Sequence, residues 1–339
     1  MNITKISTDS STAKTRKRAF HPRLFCIICL ALLALLTVLS LFTGRYPLSL
    51  KALLRGDELQ RRVFLNLRFS RTVVGLLGGF ALGVSGFVYQ TVFRNPLASP
   101  DIIGVSSGAS AGAAAGILFL SGSAAVTASA FAGALSAVVI VLLLSALDQT
   151  GRNTSIVLAG IAVHALAQTA LMCLKLTADP ERELASIEYW IMGSLNAVNL
   201  HSLGGNLLLC LLCLVLLFLL HRQIILLSGE EGEMKMLGVS VGKLRLLVLL
   251  TATLTVSSVV SLTGLISFVG LLAPHGARLI TRDNRQDTML LGGLLGGILL
   301  LGADILARSV SAVELPVSIF TSVLGAPFLI ALIGRRRAL

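Results

Sequence analysis

Seven basic side chains, those of Arg45, Lys51, Arg55, Arg61, Arg62, Arg68 and Arg71, fall in one stretch between two long apolar runs. Cations at that density dock an acidic partner or attract an anionic substrate, unless Asp57 and Glu58 partly neutralise them and the rest are simply solvated. His164 and Gln168 stand one helical turn apart inside another apolar run. Polar groups there line a pathway or, on the simpler reading, make a hydrogen bond within the packing. The C-x-x-C pairs Cys26/Cys29 and Cys210/Cys213 also lie inside apolar runs. Helical spacing alone puts each pair on one face, so neither a metal nor a redox role is expected.

Signatures of catalysis are missing. The chain has no G-x-x-x-x-G-K-[ST] phosphate loop, no H-E-x-x-H and no G-x-S-x-G, and Ser155 with His164 has no supporting context as a catalytic pair. The chain is therefore expected not to be an enzyme and to need no cofactor, and any ATP consumed is bound by another subunit. An ion-coupled secondary transporter would carry carboxylates at mid-membrane depth. Asp304 and Glu314 instead sit close to an expected membrane boundary, which makes that reading the weaker one.

The elements that would position these residues are membrane helices. Of 339 residues 55% are hydrophobic and 13% charged, with a mean hydropathy of +0.88, and no soluble domain has that balance. Apolar stretches of about 20 residues follow one another and are continuous rather than alternating, which excludes a transmembrane barrel. The expected architecture is an all-α integral membrane protein of about ten transmembrane helices, near 24–43, 68–91, 103–121, 124–147, 154–177, 203–221, 244–262, 265–280, 288–306 and 316–334. The first follows Lys14, Arg16, Lys17, Arg18 and Arg23 and reads as a retained signal-anchor. Residues 1–20 are expected to be a disordered cytoplasmic tail and 21–339 a single transmembrane domain. The run at 103–121 is rich in Gly and Ala, which suits a helix buried inside the bundle.

An even number of spans puts both termini on one side. With the termini in the cytoplasm, 18 of the 28 Lys and Arg fall inside and 10 outside, as the positive-inside bias requires. Orientation and anionic membrane lipid thus account for the net charge of +12, with no nucleic-acid partner needed. The basic cluster ahead of the second span runs against that bias.

Polar connections carry the more specific signals. Arg94-Asn95-Pro96-Leu97-Ala98-Ser99-Pro100-Asp101 contains two prolines that forbid a continuous helix and force a structured turn. The segment from Leu227 to Ser240 is amphipathic enough for two short helices joined around a glycine, a dock for a cytoplasmic partner. A faint internal echo relates helices two to five to helices seven to ten, each block leading into a proline-containing break, at Pro96 and at Pro274.

From Arg68 to its end the chain resembles the iron-siderophore, haem and cobalamin permeases of binding-protein-dependent ABC importers. The resemblance rests on the Arg94–Asp101 motif, on Gly264-Leu265-Ile266-Ser267-Phe268-Val269-Gly270-Leu271-Leu272-Ala273-Pro274-His275, and on Ala303-Asp304-Ile305-Leu306-Ala307-Arg308 followed by Glu314-Leu315-Pro316-Val317. It implies a type II importer permease fold like that of the cobalamin permeases, with ten helices per subunit and two subunits around a central pathway. It also implies an ATPase dimer on the cytoplasmic side, a second permease subunit, and a periplasmic or lipoprotein substrate-binding protein.

Where the family usually has Arg-Leu-Pro-Arg, this chain has Arg68-Phe69-Ser70-Arg71. Matching implies docking roles for Arg68, Arg71 and Arg308 toward acidic residues of the binding protein. The missing proline leaves the local backbone open. The same matching makes Ser228, Gly229, Glu230, Leu237, Gly238 and Val239 the coupling segment that receives the ATPase. It assigns Arg94, Asn95, Pro96, Pro100, Gly264, Pro274 and His275 to structural motifs, favours a ferric siderophore as substrate over haem or cobalamin, and places the chain in the inner (cytoplasmic) membrane.

Overall fold

The computed structural model describes residues 22–44, 46–49, 51, 55–146, 153–196, 198, 200–229, 231–236, 238, 240–282, 284–311 and 313–336. The N-terminal tail, Glu230, Leu237 and Val239 lie outside the described residues. All regular structure among those described is helical. In chain order the α-helices are α1 (Pro22–Phe42), α2 (Glu58–Arg62), α3 (Ser70–Val92), α4 (Val105–Phe119), α5 (Ser123–Ala146), α6 (Asn153–Thr177), α7 (Glu183–Met192), α8 (Leu200–Leu219), α9 (His221–Leu226), α10 (Glu231–Met236), α11 (Val241–Thr263), α12 (Val269–Thr281), α13 (Gln286–Ser309) and α14 (Val317–Arg336).

Each of the ten expected spans has a helix, and six helices are long and apolar enough on their own to cross a membrane. The chain is a multi-pass membrane protein. Asp57 caps α2 by accepting from the N–H groups of Leu59 and Gln60, and a π-helical turn, Val63–Phe69, carries the chain without a break into α3. That continuity settles the backbone where the proline is missing. With Ser70 in place of proline, residue 70 keeps its N–H and the helix runs through Arg68 and Arg71.

Burial separates inner from outer helices. About three quarters of the apolar windows of α3 and α11 are buried, against 17% for α1 and 28% for α5 and α6. Glycine makes the inner packing possible. A Cβ on Gly79 of α3 would lie 2.5 Å from the carbonyl oxygen of Gly296 of α13, and a Cβ on Gly296 would lie 2.2 Å from that of Gly79. Gly108 of α4 and Gly133 of α5 meet in the same reciprocal way. Small residues at such seams let dispersion between backbones hold the helices where lipid supplies no hydrophobic drive. Five buried hydroxyls of α11 satisfy themselves locally: Thr251, Thr253, Thr255, Ser258 and Thr263 each donate to the carbonyl four residues back.

The internal echo is present in the packing. Helices α3–α6 correspond to α11–α14, and contacts in one block have counterparts in the other: α4 on α5 with α12 on α13, α3 on α13 with α11 on α5, and α3 on α12 with α11 on α4. The second break, however, is not at Pro274. It lies at Gly264–Phe268, and Pro274 sits inside α12. Proline tolerates that position because its missing N–H frees the carbonyl of Gly270, and this carbonyl is pressed against the bare Cα of Gly86 in α3. At about 1.5 Å per residue, the 15 residues of α4 and 13 of α12 fall well short of a ~30 Å hydrocarbon core. Each is a short helix following a broken segment packed within the protein, where membrane-depth irregular backbone is tolerated.

Candidate functional site

The polar groups gather at the two ends of α3. At one end the termini of α1, α3, α13 and α14 converge. Arg71 on the first turn of α3 reaches Asp304 of α13 with Nε at 2.8 Å and Glu314, just before α14, with Nη1 at 2.9 Å. Arg308, one turn beyond Asp304, holds the other carboxylate oxygen of Asp304 at 2.8 Å. It also donates to the carbonyls of Ser40 and Thr43 at the end of α1, at 3.2 and 3.0 Å, and to the Ser40 hydroxyl at 2.8 Å. A helix C-terminus leaves carbonyls without partners, and Arg308 supplies donors to those of α1. Ser40 in turn meets Thr72 of α3 at 2.8 Å. Arg68 donates to the carbonyl of Tyr46 at 2.9 Å, and its guanidinium occupies the space a side chain on Gly44 would need.

Sequence matching had Arg68, Arg71 and Arg308 presented to acids on another protein. The structure buries all three, at 6%, 6% and 5% exposure, and gives Arg71 and Arg308 their carboxylates from within the chain. Sequence reading missed Asp304 and Glu314 as their partners, although the four-residue spacing of Asp304 and Arg308 on one helix was a signal for the second pair. A 180 Å³ cavity opens beside the network, lined by Arg68, Arg71, Arg308, Glu314 and Asn196 among others.

The same end of the bundle carries a three-way junction around Gly264. The Ser194 N–H donates to the Thr263 carbonyl at 2.7 Å, the Val317 N–H to Gly193 at 3.1 Å, and the Ser318 hydroxyl to Leu265 at 2.6 Å. Gly193 (φ +69°) and Gly264 (φ +71°) both adopt left-handed backbone, and a Cβ on either would run into the other's segment. Beside this junction lies a cavity of 700 Å³ lined by Glu181, Arg182, Tyr189, Trp190 and Ser194 around α7 and by Ser261 and Thr263 of α11. Sequence reading placed no helix at α7.

At the other end of α3, Arg94 takes a left-handed backbone (φ +49°) and turns its guanidinium onto the carbonyls of Leu227, at 3.4 Å, and Gly229. These follow α9, and α10 comes next; of the two short helices expected within Leu227–Ser240 only α10 lies there among the described residues, the other, α9, ending at Leu226. The Arg94–Asp101 turn is built as its residues dictate. The Asn95 side chain accepts from the Leu97 N–H at 3.0 Å, Pro100 opens a 3-10 turn, and Gly104 (φ +83°) ends it. Ser228 folds its hydroxyl onto Ile225 at 2.7 Å and Gly238 has φ +76°, both near the Arg94 end. His275 packs edge-on against Phe328 of α14, 5.6 Å between centroids. Arg278 of α12, unmarked by any motif, binds Thr91 at 2.9 Å, Asn284 at 2.8 Å and Gln90, and stacks on Phe87. It ties α12 to the last turns of α3.

A model of the FecCD transport family matches residues 32–335, which takes in every described site residue above. The chain belongs to the FecCD transport family. Among related FecCD permeases, the molybdate import system permease MolB of Haemophilus influenzae is 34% identical over 86% of this chain and 89% of its own. The hemin transport permease HmuU of Yersinia pestis is 37% identical over 81% and 84%, and a probable iron chelatin permease of Helicobacter pylori 36% over 81% and 83%. A solved metal-chelate type ABC transporter in an inward-facing conformation superposes with a TM-score of 0.84 at 33% identity, over 93% of this chain and 100% of that one. This FecCD chain thus shares the permease fold as well as the family.

Proposed function

We propose that this chain is the permease subunit of an ABC importer of the inner membrane, moving a ferric siderophore inward with energy from a separate ATPase. The observation that carries the reading is the buried helix α3, with Arg71 in the polar network at one end and Arg94, just past the other, on the Leu227–Gly229 segment. The Arg71 end faces the periplasm and receives the loaded binding protein. The Arg94 end faces the cytoplasm, as do both chain termini, and the segment from Ser228 through Gly238, with Glu230, Leu237 and Val239, receives the ATPase dimer.

ATP binding closes the ATPase pair, the coupling segment moves, and Arg94 passes that displacement to α3 as a rigid body. A second permease subunit completes the pathway. Docking and nucleotide shift the equilibrium between inward-open and outward-open arrangements through their different affinities for the two. Substrate selection lies mainly in the binding protein, in keeping with relatives of similar identity named for molybdate, hemin and iron chelatin. The Arg-Asn-Pro-Leu-Ala-Ser-Pro-Asp form of the motif favours a siderophore.

The test is uptake of radiolabelled iron, offered as a panel of ferric siderophores to iron-starved cells with and without the gene. Loss for one chelate class, restored by the intact gene, supports the reading. Unchanged iron uptake with loss of haem or cobalamin uptake moves the substrate, and failure of all three without copurification of an ATPase overturns the importer role.

A further inference from the structure

The Arg68–Arg71–Arg308 network is not electrically closed. Three guanidinium groups face two carboxylates, those of Asp304 and Glu314, so one positive charge is left over among the described residues. The excess localises on Arg68. Arg71 and Arg308 each hold Asp304, and Arg71 also holds Glu314, whereas Arg68 bonds only a neutral carbonyl, that of Tyr46. Its Nη1 is buried without a hydrogen-bond partner. A buried, unpaired charged donor costs considerably more than a paired one.

Arg68 lines the 180 Å³ cavity that Arg71, Arg308 and Asn196 also line. A water in the liquid takes about 30 Å³. The space therefore suits a small ion with a few waters, and the walls supply a guanidinium and an amide as donors. Glu314 is the one carboxylate on the wall, and Arg71 already holds it.

We propose that this cavity is a binding site for one small inorganic anion of the halide class, seated against Arg68 Nη1. The anion completes the charge of the network and fastens the segment from Gly44 to Arg68 to α13. Substrate and ATPase take no part in the argument, which stands on the cavity and its charges.

The experiment uses the purified full chain in detergent. Melting is followed while chloride is replaced by gluconate, too bulky to seat in the cavity, at constant ionic strength. Chloride raises the melting temperature in a saturable way, as a ligand bound only by the folded state must. Arg68→Gln removes the chloride-dependent part, while Arg68→Lys, which keeps the charge, retains some of it. Identical melting in both salts, or a full chloride response in Arg68→Gln, overturns the site. Should Arg68→Gln not fold, crystals of the unaltered chain grown in bromide decide: an anomalous peak beside Arg68 supports the site and its absence overturns it. A negative result leaves the docking reading standing, since docking is measured by binding-protein affinity.

Discussion

Arg71 and Asp304, 233 residues apart in sequence, form a 2.8 Å ion pair whose carboxylate is fully buried. The pair joins α3 to α13 at one end of a seam that glycines hold along its length. Removing one member of such a pair leaves the other buried without compensation. Asp304→Ala leaves Arg71 and Arg308 repelling each other beside a hole and is expected to cost about 3–5 kcal/mol. Thermal melting in detergent checks this, and Asp304→Asn, which keeps hydrogen-bond acceptance, falls between Asp304→Ala and the unaltered protein.

Charge changes separate the two arginines that the proposal gives to docking. Arg71→Glu places a third carboxylate against Asp304 and Glu314 and is expected to abolish folded protein, so it says nothing about docking. Arg68→Gln breaks no ion pair and adds no carboxylate beside Glu314. It is expected to weaken binding-protein affinity by roughly 30-fold or more, the scale of losing one desolvated charge at an interface, while ATPase copurification is unchanged. Surface plasmon resonance on reconstituted transporter gives the affinity, and an unchanged value removes Arg68 from the docking face.

Among the described residues Arg94 joins α3 to the proposed coupling segment through the carbonyls of Leu227 and Gly229, so its loss should leave assembly intact and damage transmission. Arg94→Ala is expected to copurify with the ATPase at normal yield and to hydrolyse ATP, with substrate uptake reduced roughly tenfold, about what the loss of one charged hydrogen bond amounts to. Uptake at the unaltered rate would show that the coupling segment drives the bundle by another route.

The glycines divide into those that must be glycine and those that need not be. Gly79→Val forces a branched side chain into the backbone of Gly296, and no folded permease is expected. Gly302 of α13 has open space where its Cβ would be, and Gly302→Ala is expected to raise stability by about 0.5–1 kcal/mol through helix propensity. Paired melting curves test both.

Hydropathy made the long helices legible because each apolar run is set by the thickness of the bilayer, a constraint written in local sequence. The short α7, Glu-Leu-Ala-Ser-Ile-Glu-Tyr-Trp-Ile-Met, escaped because four of its residues are polar or charged and its ten residues make only about half a span. Pro274 misled for a local reason. Proline marks a break only when its orphaned carbonyl has nowhere to go, and here Gly86 of another helix receives it. The arginine site was half legible. Motif matching singled out Arg68, Arg71 and Arg308, but nothing near Arg71 in sequence announces Asp304 as its partner. Fold brings those two together and buries all three arginines.

The α3–α13 seam has one more property. Where Gly79 and Gly83 meet Gly296 and Gly292, main chain lies on main chain, and to either side the Phe80 ring and the Leu301 side chain seat against Gly293 and Gly75 of the opposite helix. Displacing one helix along the other by a fraction of a turn must unseat those side chains from their glycines as well as shift the backbone contacts. The seam is therefore a keyed joint rather than a bearing: with the Arg71–Asp304 pair pinning one end, α3 and α13 are built to move as one piece.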